Sequence, residues 1–140
     1  MKLSELLRDV PVRELHGDAD VEITSVTPDS RLVTKGALFV AIPGTAKDGT
    51  VFVPQAIERG AAAIVAQAAP ATVIVDDPRA ALALIAANFY GRPADRLSLV
   101  GVTGTSGKTT TARMTESVFD ALEEPVGLIG TIEYRAGDER

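Results

Sequence analysis

The residues best suited to chemistry lie together in Thr103-Gly104-Thr105-Ser106-Gly107-Lys108-Thr109-Thr110. Gly104 and Gly107 permit a sharp turn and a close backbone approach to a ligand. Ahead of them, Leu97-Ser98-Leu99-Val100-Gly101-Val102 is an apolar run of strand length. Behind them, Ala112, Thr115, Phe119 and Leu122 recur at helical spacing, with Val118 beside them. Strand, glycine-rich turn, Lys-Thr and helix is the arrangement of a phosphate-binding loop. In such a loop the free N–H groups of the first helical turn point at an anion, and the helix dipole favours negative charge there. Lys108 is then placed to reach the β- and γ-phosphates of a nucleotide, and the Thr109 hydroxyl to hold Mg²⁺. The spacing departs from the strict G-x-x-x-x-G-K-[ST] pattern, because Val102 stands where the first glycine belongs and the glycines fall at 101, 104 and 107. The competing reading is a glycine-rich turn followed by a surface lysine. The flanking strand and helix favour the phosphate loop.

These residues need elements to position them, and the 140-residue chain has enough apolar content, 46%, to build a core, while its aromatic share of 4% makes that core aliphatic. The net charge of −5 argues against a nucleic-acid binder working through a basic face. No cysteine is present, so there is neither a disulfide framework nor a cysteine-ligated zinc. Charges interrupt the first nine residues too early for a signal peptide. The most apolar stretch, 60–75, is broken by Gln67, Pro70 and Thr72, whereas a membrane span needs about 20 apolar residues. A cytoplasmic protein without membrane insertion is expected.

In chain order, Lys2 to Arg8 reads as a short helix and Val12 to Asp20 as irregular. The only histidine, His16, lies in that irregular stretch and receives no role. Val21 to Thr27 alternates as a strand, and Ala37 to Ile42 reads as a buried strand between turns at Lys35-Gly36 and Pro43 to Gly49. Pro54 to Arg59 predicts a short helix ended by Gly60. Ala61 to Ala66 and Thr72 to Val75 predict short apolar strands. Asp77 and Pro78 open a helix with Leu82, Ile85, Ala86 and Phe89 as its core stripe, so Asp76 and Asp77 read as capping residues rather than catalytic carboxylates. Gly91 to Arg96 is the natural linker. The class is α/β: a first domain over residues 1–94, then the start of a parallel-sheet, P-loop-type nucleotide-binding domain over 95–140. That second domain shows two strands, Leu97–Val102 and Val126–Tyr134, where a sheet of its kind needs several. A truncated domain is therefore expected.

Val-Gly-Val-Thr-Gly-Thr-x-Gly-Lys-Thr-Thr resembles the ATP loop of the Mur ligases, ATP-dependent amide-forming enzymes of peptidoglycan precursor synthesis; the family's usual Asn at 106 is here Ser106. Asp29-Ser30-Arg31, Lys35 to Ala41, Gly44, Asp48-Gly49, Ala56 and Gly60-Ala61 are similar to the family's first domain. Phe89-Tyr90-Gly91-x-Pro93 and Gly127 to Ile132 look more like the member that extends UDP-MurNAc-dipeptide than like its neighbour in the pathway. The resemblance implies that the first domain holds the UDP part of that substrate through Pro28, Ser30, Thr45, Ala46 and Lys47. It implies that Gly104, Thr105, Ser106, Gly107, Lys108, Thr109 and Thr110 cradle ATP, with Lys108 catalytic and Thr109 on Mg²⁺. The implied reaction activates a carboxylate with ATP, through an acyl phosphate that an amino acid's amine attacks. The substrates would be UDP-MurNAc-dipeptide, an amino acid and ATP, with a monomer expected. The second Mg²⁺ acid, a modified lysine and a third domain would lie past Arg140, and this stretch alone is expected to be inactive. Three alternatives stand beside this: the neighbouring ligase of the pathway, a P-loop kinase or NTPase, and a nucleotide-sugar-binding module without catalysis. The kinase reading leaves the Asp29 to Gly49 segment unexplained.

Overall fold

The computed structural model describes residues 1–44 and 48–136. Its contacts divide into two compact units, Met1–Leu97 and Ser98–Arg140.

The first unit is a five-stranded sheet with helices on both faces. The elements run α1 (Leu3–Leu6), β1 (Val12–Leu15), β2 (Ser25–Thr27), β3 (Ala37–Val40), α2 (Val53–Glu58), β4 (Ala63–Ala66), β5 (Val73–Val75) and α3 (Pro78–Phe89). The spatial order is β1-β5-β4-β3-β2. Strands β2 to β5 are parallel, in the register Ser25↔Ala37, Leu38↔Ala63 and Val65↔Val73, while β1 joins β5 antiparallel.

Period-two alternation builds two cores from one sheet. Leu38, Val40, Ala63, Val65, Val73 and Val75 face α1 and α3, where Leu3, Leu6, Ala81 and Ile85 close the layer. Ala37, Phe39, Ala41, Ile64 and Ala66 face the other way, onto Val53 and Ala56 of α2 and onto Val33. Apolar residues on both faces are what a parallel strand between helix layers requires, and they explain the unbroken apolar runs. Asp77 caps α3 by accepting from the Arg79 and Ala80 N–H groups, with Pro78 in the first turn. Near the other end of α3, the Asn88 side-chain amide donates to the carbonyls of Leu6 and Arg8, tying α3 to the end of α1.

Two expectations for this unit change. Val12–Leu15 is an edge strand rather than irregular, and no apolar alternation announces it, because three of its four residues are exposed. Arg13 pairs with Asp76 beside the strand at 3.2 Å. On α3 the fully buried residues are Pro78, Ala81 and Ile85, with Leu82 and Phe89 only partly covered. Ala81 takes a fully buried place, and Leu82 and Phe89 pack against the same core while keeping part of their surface in solvent.

The second unit contains α4 (Lys108–Ala121), β6 (Gly127–Ile129) and β7 (Tyr134–Ala136). Val126 to Tyr134 is not one strand. β6 and β7 form an antiparallel hairpin in the register Gly127↔Ala136 and Ile129↔Tyr134, and the Gly130 N–H donates to the Glu133 carbonyl at 3.0 Å across its turn. The expected strand Leu97–Val102 has no ladder: among the described residues nothing pairs with it, and Leu97, Leu99 and Val100 are exposed. An apolar run has a propensity for burial, but a strand exists only where a neighbour takes its N–H and C=O groups. Glu116 is the one charged residue buried among the described residues. It ties α4 to the hairpin through Arg135 and also meets Arg113, which pairs with Glu133. The Arg135 hydrogen bond, outweighing desolvation, holds the Glu116 carboxyl below its ordinary range.

Candidate functional site

The glycine-rich loop and helix lie where the sequence puts them. Gly107 takes a left-handed φ of +75° and is the N-cap of α4, and no side chain caps that end. A Cβ at Gly107 would meet nothing within 4 Å, so the space over the helix start is open. The first helical bond is Thr111 N–H to the Gly107 carbonyl, at 2.9 Å. The N–H groups of Lys108, Thr109 and Thr110 therefore precede any intrahelical acceptor. Lys108 folds back, its Nζ donating to the Gly104 carbonyl at 2.6 Å, which closes residues 104–108 into a ring with the ammonium on its rim.

Lys108 and Thr109 line a cavity of about 280 Å³ together with Val100, Val102, Ala112, Arg113 and residues 127–133. Gly104, Thr105, Ser106 and Gly107 are exposed and lie outside that lining, as does Thr110. Open donors at a helix start, an adjoining ammonium and a threonine hydroxyl are a donor set that fits a nucleotide phosphate and its Mg²⁺. Among the described residues no cluster of three or more His, Cys, Asp or Glu could hold a metal by itself, so an ion here would depend on Thr109 and the phosphates. Arg113 lines the same cavity and is a cation that sequence reasoning missed; it falls five residues past Lys108, outside the loop motif.

The second group of residues lies in the first unit. After β2 the chain makes a 3₁₀ turn, Ser30–Leu32, with Asp29 as its N-cap. Asp29 accepts from the Arg31 N–H at 2.9 Å and pairs with the Arg31 guanidinium, Nη2 to Oδ2 at 2.6 Å. The Arg31 side-chain bonds, then its backbone N–H, hold the Asp29 carboxyl down at about 2. Asp29 and Arg31 thus fix the turn rather than face a ligand. Thr27, buried, accepts from the Asp29 N–H at 3.1 Å. Pro28 is exposed, and Ser30 is buried. The Ser30 hydroxyl donates to Gln55 Oε1 at 2.6 Å, and Arg59 Nη1 donates to the Arg31 carbonyl at 3.1 Å. Gln55 and Arg59, a helical turn apart, were invisible in the sequence because their partners are far away along the chain. Thr45, Ala46 and Lys47 lie outside the described residues. The loop that carries them leaves β3 through Ile42, whose carbonyl accepts from the Gly49 N–H at 3.1 Å.

The depressed Asp29 pKa carries a pH signature. A carboxyl whose folded pKa lies below its unfolded value stabilises the fold above the unfolded value, and loses that contribution as pH falls through the folded one. The Asp29–Arg31 pair is therefore expected to hold at pH 4 and open toward pH 2, and an NMR titration of the Asp29 carboxyl carbon should give a midpoint near 2. A midpoint near the ordinary 3.8 would show that the pair does not form in solution.

Comparison with known proteins bears on both groups. The model of the Mur ligase family, catalytic domain, matches residues 22–90, and that of the Mur ligase middle domain matches residues 102–140. The UDP-N-acetylmuramoyl-L-alanyl-D-glutamate--2,6-diaminopimelate ligase of Geobacillus thermodenitrificans is 44% identical over 99% of this chain, which spans 29% of that relative's length. A solved structure of a ligase of the same name superposes on 97% of this chain with a TM-score of 0.76; the chain spans 28% of it, and at 22% identity the likeness is one of fold. The MurF ligase of Thermotoga maritima, solved in complex with ADP, matches 72% of this chain with a TM-score of 0.52 and 30% identity, the chain spanning 24% of it.

Proposed function

Because this chain belongs to the Mur ligase family, we propose that it supplies the nucleotide-handling parts of an ATP-dependent ligase that adds an amino acid to UDP-MurNAc-dipeptide. The chain spans about 29% of the length of the curated relative described above, and the activity proposed is that of the whole protein. The observation that carries the reading is the open start of α4, where Gly107 is the N-cap and the Lys108 ammonium closes on the Gly104 carbonyl.

We assign residues 1–94 to a domain that holds the UDP portion of the substrate and 95–140 to the start of the ATP-binding domain. In the first, Pro28 and Ser30 come from the turn after β2, and Thr45, Ala46 and Lys47 from the loop after β3. In the second, Gly104, Thr105, Ser106, Gly107 and Thr110 offer backbone and hydroxyl groups to the phosphates. Lys108 would turn from the Gly104 carbonyl to the phosphate oxygens, and the Thr109 hydroxyl would hold Mg²⁺. When bound, ATP with Mg²⁺ supplies the phosphoryl group that activates the substrate carboxylate. The chain's own part is to orient the phosphates and neutralise their charge. We expect a cytoplasmic enzyme working as a monomer; among the described residues no helix is long and apolar enough to cross a membrane.

The test is an assay of the whole protein, from the reading frame that contains this chain, with UDP-MurNAc-dipeptide, Mg-ATP and an amino acid. Diaminopimelate comes first, since the relative at 44% identity is named for it. Equimolar ADP and amide product are expected, both dependent on the amino acid. ATP hydrolysis without amide formation, or no turnover with any amino acid, would refute the proposal.

A further inference from the structure

Ser30 is one of three buried polar or charged residues among those described, with Thr27 and Glu116. A serine hydroxyl has one proton to give and lone pairs with which to accept. Here the proton is committed, since Ser30 Oγ donates to Gln55 Oε1 at 2.6 Å. Gln55 itself stands on the exposed side of α2, whose buried residues Val53 and Ala56 hold the helix against the sheet. Arg59 grips the same turn by donating to the Arg31 carbonyl at 3.1 Å. The turn is thus held at two points by one helix, and the direction of the Ser30 hydroxyl is set by the first of them.

We propose that Gln55 is a positioning residue for nucleotide recognition: by taking the Ser30 proton, it presents Ser30 to the ligand as an acceptor only. This rests on the assignment of Ser30 to the UDP site. An acceptor is of no use to a diphosphate, whose oxygens are themselves acceptors. It suits an N–H or O–H donor, and in a uridine nucleotide the donors are the imide N–H of the base and the ribose hydroxyls. Ser30 therefore reads the nucleoside end of the substrate, and the diphosphate falls to other groups of the site. Without Gln55 the hydroxyl rotates freely and points its proton at the ligand's own donor part of the time.

The experiment is titration of the 140-residue chain with UDP and with uridine, followed by NMR shifts, for wild type, Ser30→Ala, Gln55→Leu, Gln55→Met and Gln55→Glu, each with a thermal melt. Gln55→Leu and Gln55→Met, which lack a strong acceptor, are expected to weaken UDP and uridine by the same factor, about fivefold to tenfold for one hydrogen bond. Gln55→Glu keeps an acceptor at an exposed position and is expected to bind uridine within about twofold of wild type. Gln55→Glu, which keeps the acceptor, should melt with wild type, while the two apolar variants should melt slightly lower because the buried Ser30 hydroxyl loses its partner, so their affinities are compared at a temperature where every variant is folded. Wild-type affinity in both apolar variants, or equal loss in Gln55→Glu and Gln55→Leu, would overturn the role of Gln55. A loss seen with UDP but not uridine would overturn the assignment to the nucleoside end. Failure of the underlying reading looks different: wild type then binds no UDP, or Ser30→Ala binds it as wild type does.

Discussion

Replacing Lys108 with alanine is expected to lower ligase turnover of the whole protein by about 100- to 1000-fold, the range for loss of a preorganised charge-stabilising group, with no change in melting temperature. Two features separate the two effects. The Lys108 side chain is exposed and contributes nothing to a core. Its one recorded bond, Nζ to the Gly104 carbonyl at 2.6 Å, lies within the loop and is solvent-exposed, so its loss removes little stability. What disappears is a positive charge at a helix start whose N–H groups are open. KM for Mg-ATP should rise, while affinity for UDP should stay unchanged, since Ser30 and Gln55 belong to the other unit. Lys108→Arg is expected to restore little, because a planar guanidinium does not replace a compact ammonium in a tight loop. The readouts are ADP release and amide formation beside a circular dichroism melt. Near-normal turnover of Lys108→Ala would remove the phosphate-loop assignment.

The glycine-rich turn and the helix that follows it were legible because their residues are contiguous: glycines, lysine and threonines report on one another within eight positions. The two-faced core was legible for a similar reason. Leu38 and Val40 point to one helix layer, Phe39 and Ala41 to the other, and both sets are apolar in the local sequence. Three things were not legible, each for a physical reason. The edge strand Val12–Leu15 is mostly exposed, so it carries no burial pattern and exists through its ladder with β5. The Ser30–Gln55 bond spans 25 residues, and nothing near either residue announces the other. The run Leu97–Val102 shows the opposite failure. Its composition is that of a buried strand, yet a strand is a property of pairs, and among the described residues it has no partner.

Gly49→Ala is expected to be the most damaging single-methyl change in the first unit. A Cβ built at Gly49 would lie 2.5 Å from the Ile42 carbonyl oxygen, 2.6 Å from the Ile42 nitrogen and 3.0 Å from the Ala41 carbonyl carbon. These are backbone atoms, so no side chain can swing aside. Nor can the backbone yield cheaply. The Ala41 N–H donates to the Val65 carbonyl at 2.8 Å, extending the β3–β4 ladder, and the Gly49 N–H donates to the Ile42 carbonyl at 3.1 Å. Relief of the clash must break one of these bonds or push the loop away from the end of β3. The expected cost is about 2 kcal/mol, within the range for forced overpacking, or roughly 10 °C in melting temperature for a domain of this size. Gly91→Ala is the control. Its Cβ would meet nothing within 4 Å, although its φ is +73°, so it should cost only left-handed strain, about 1 kcal/mol, and leave UDP binding intact. A Gly49→Ala protein that melts with wild type would show that the close approach of Gly49 to Ile42 is not kept in solution.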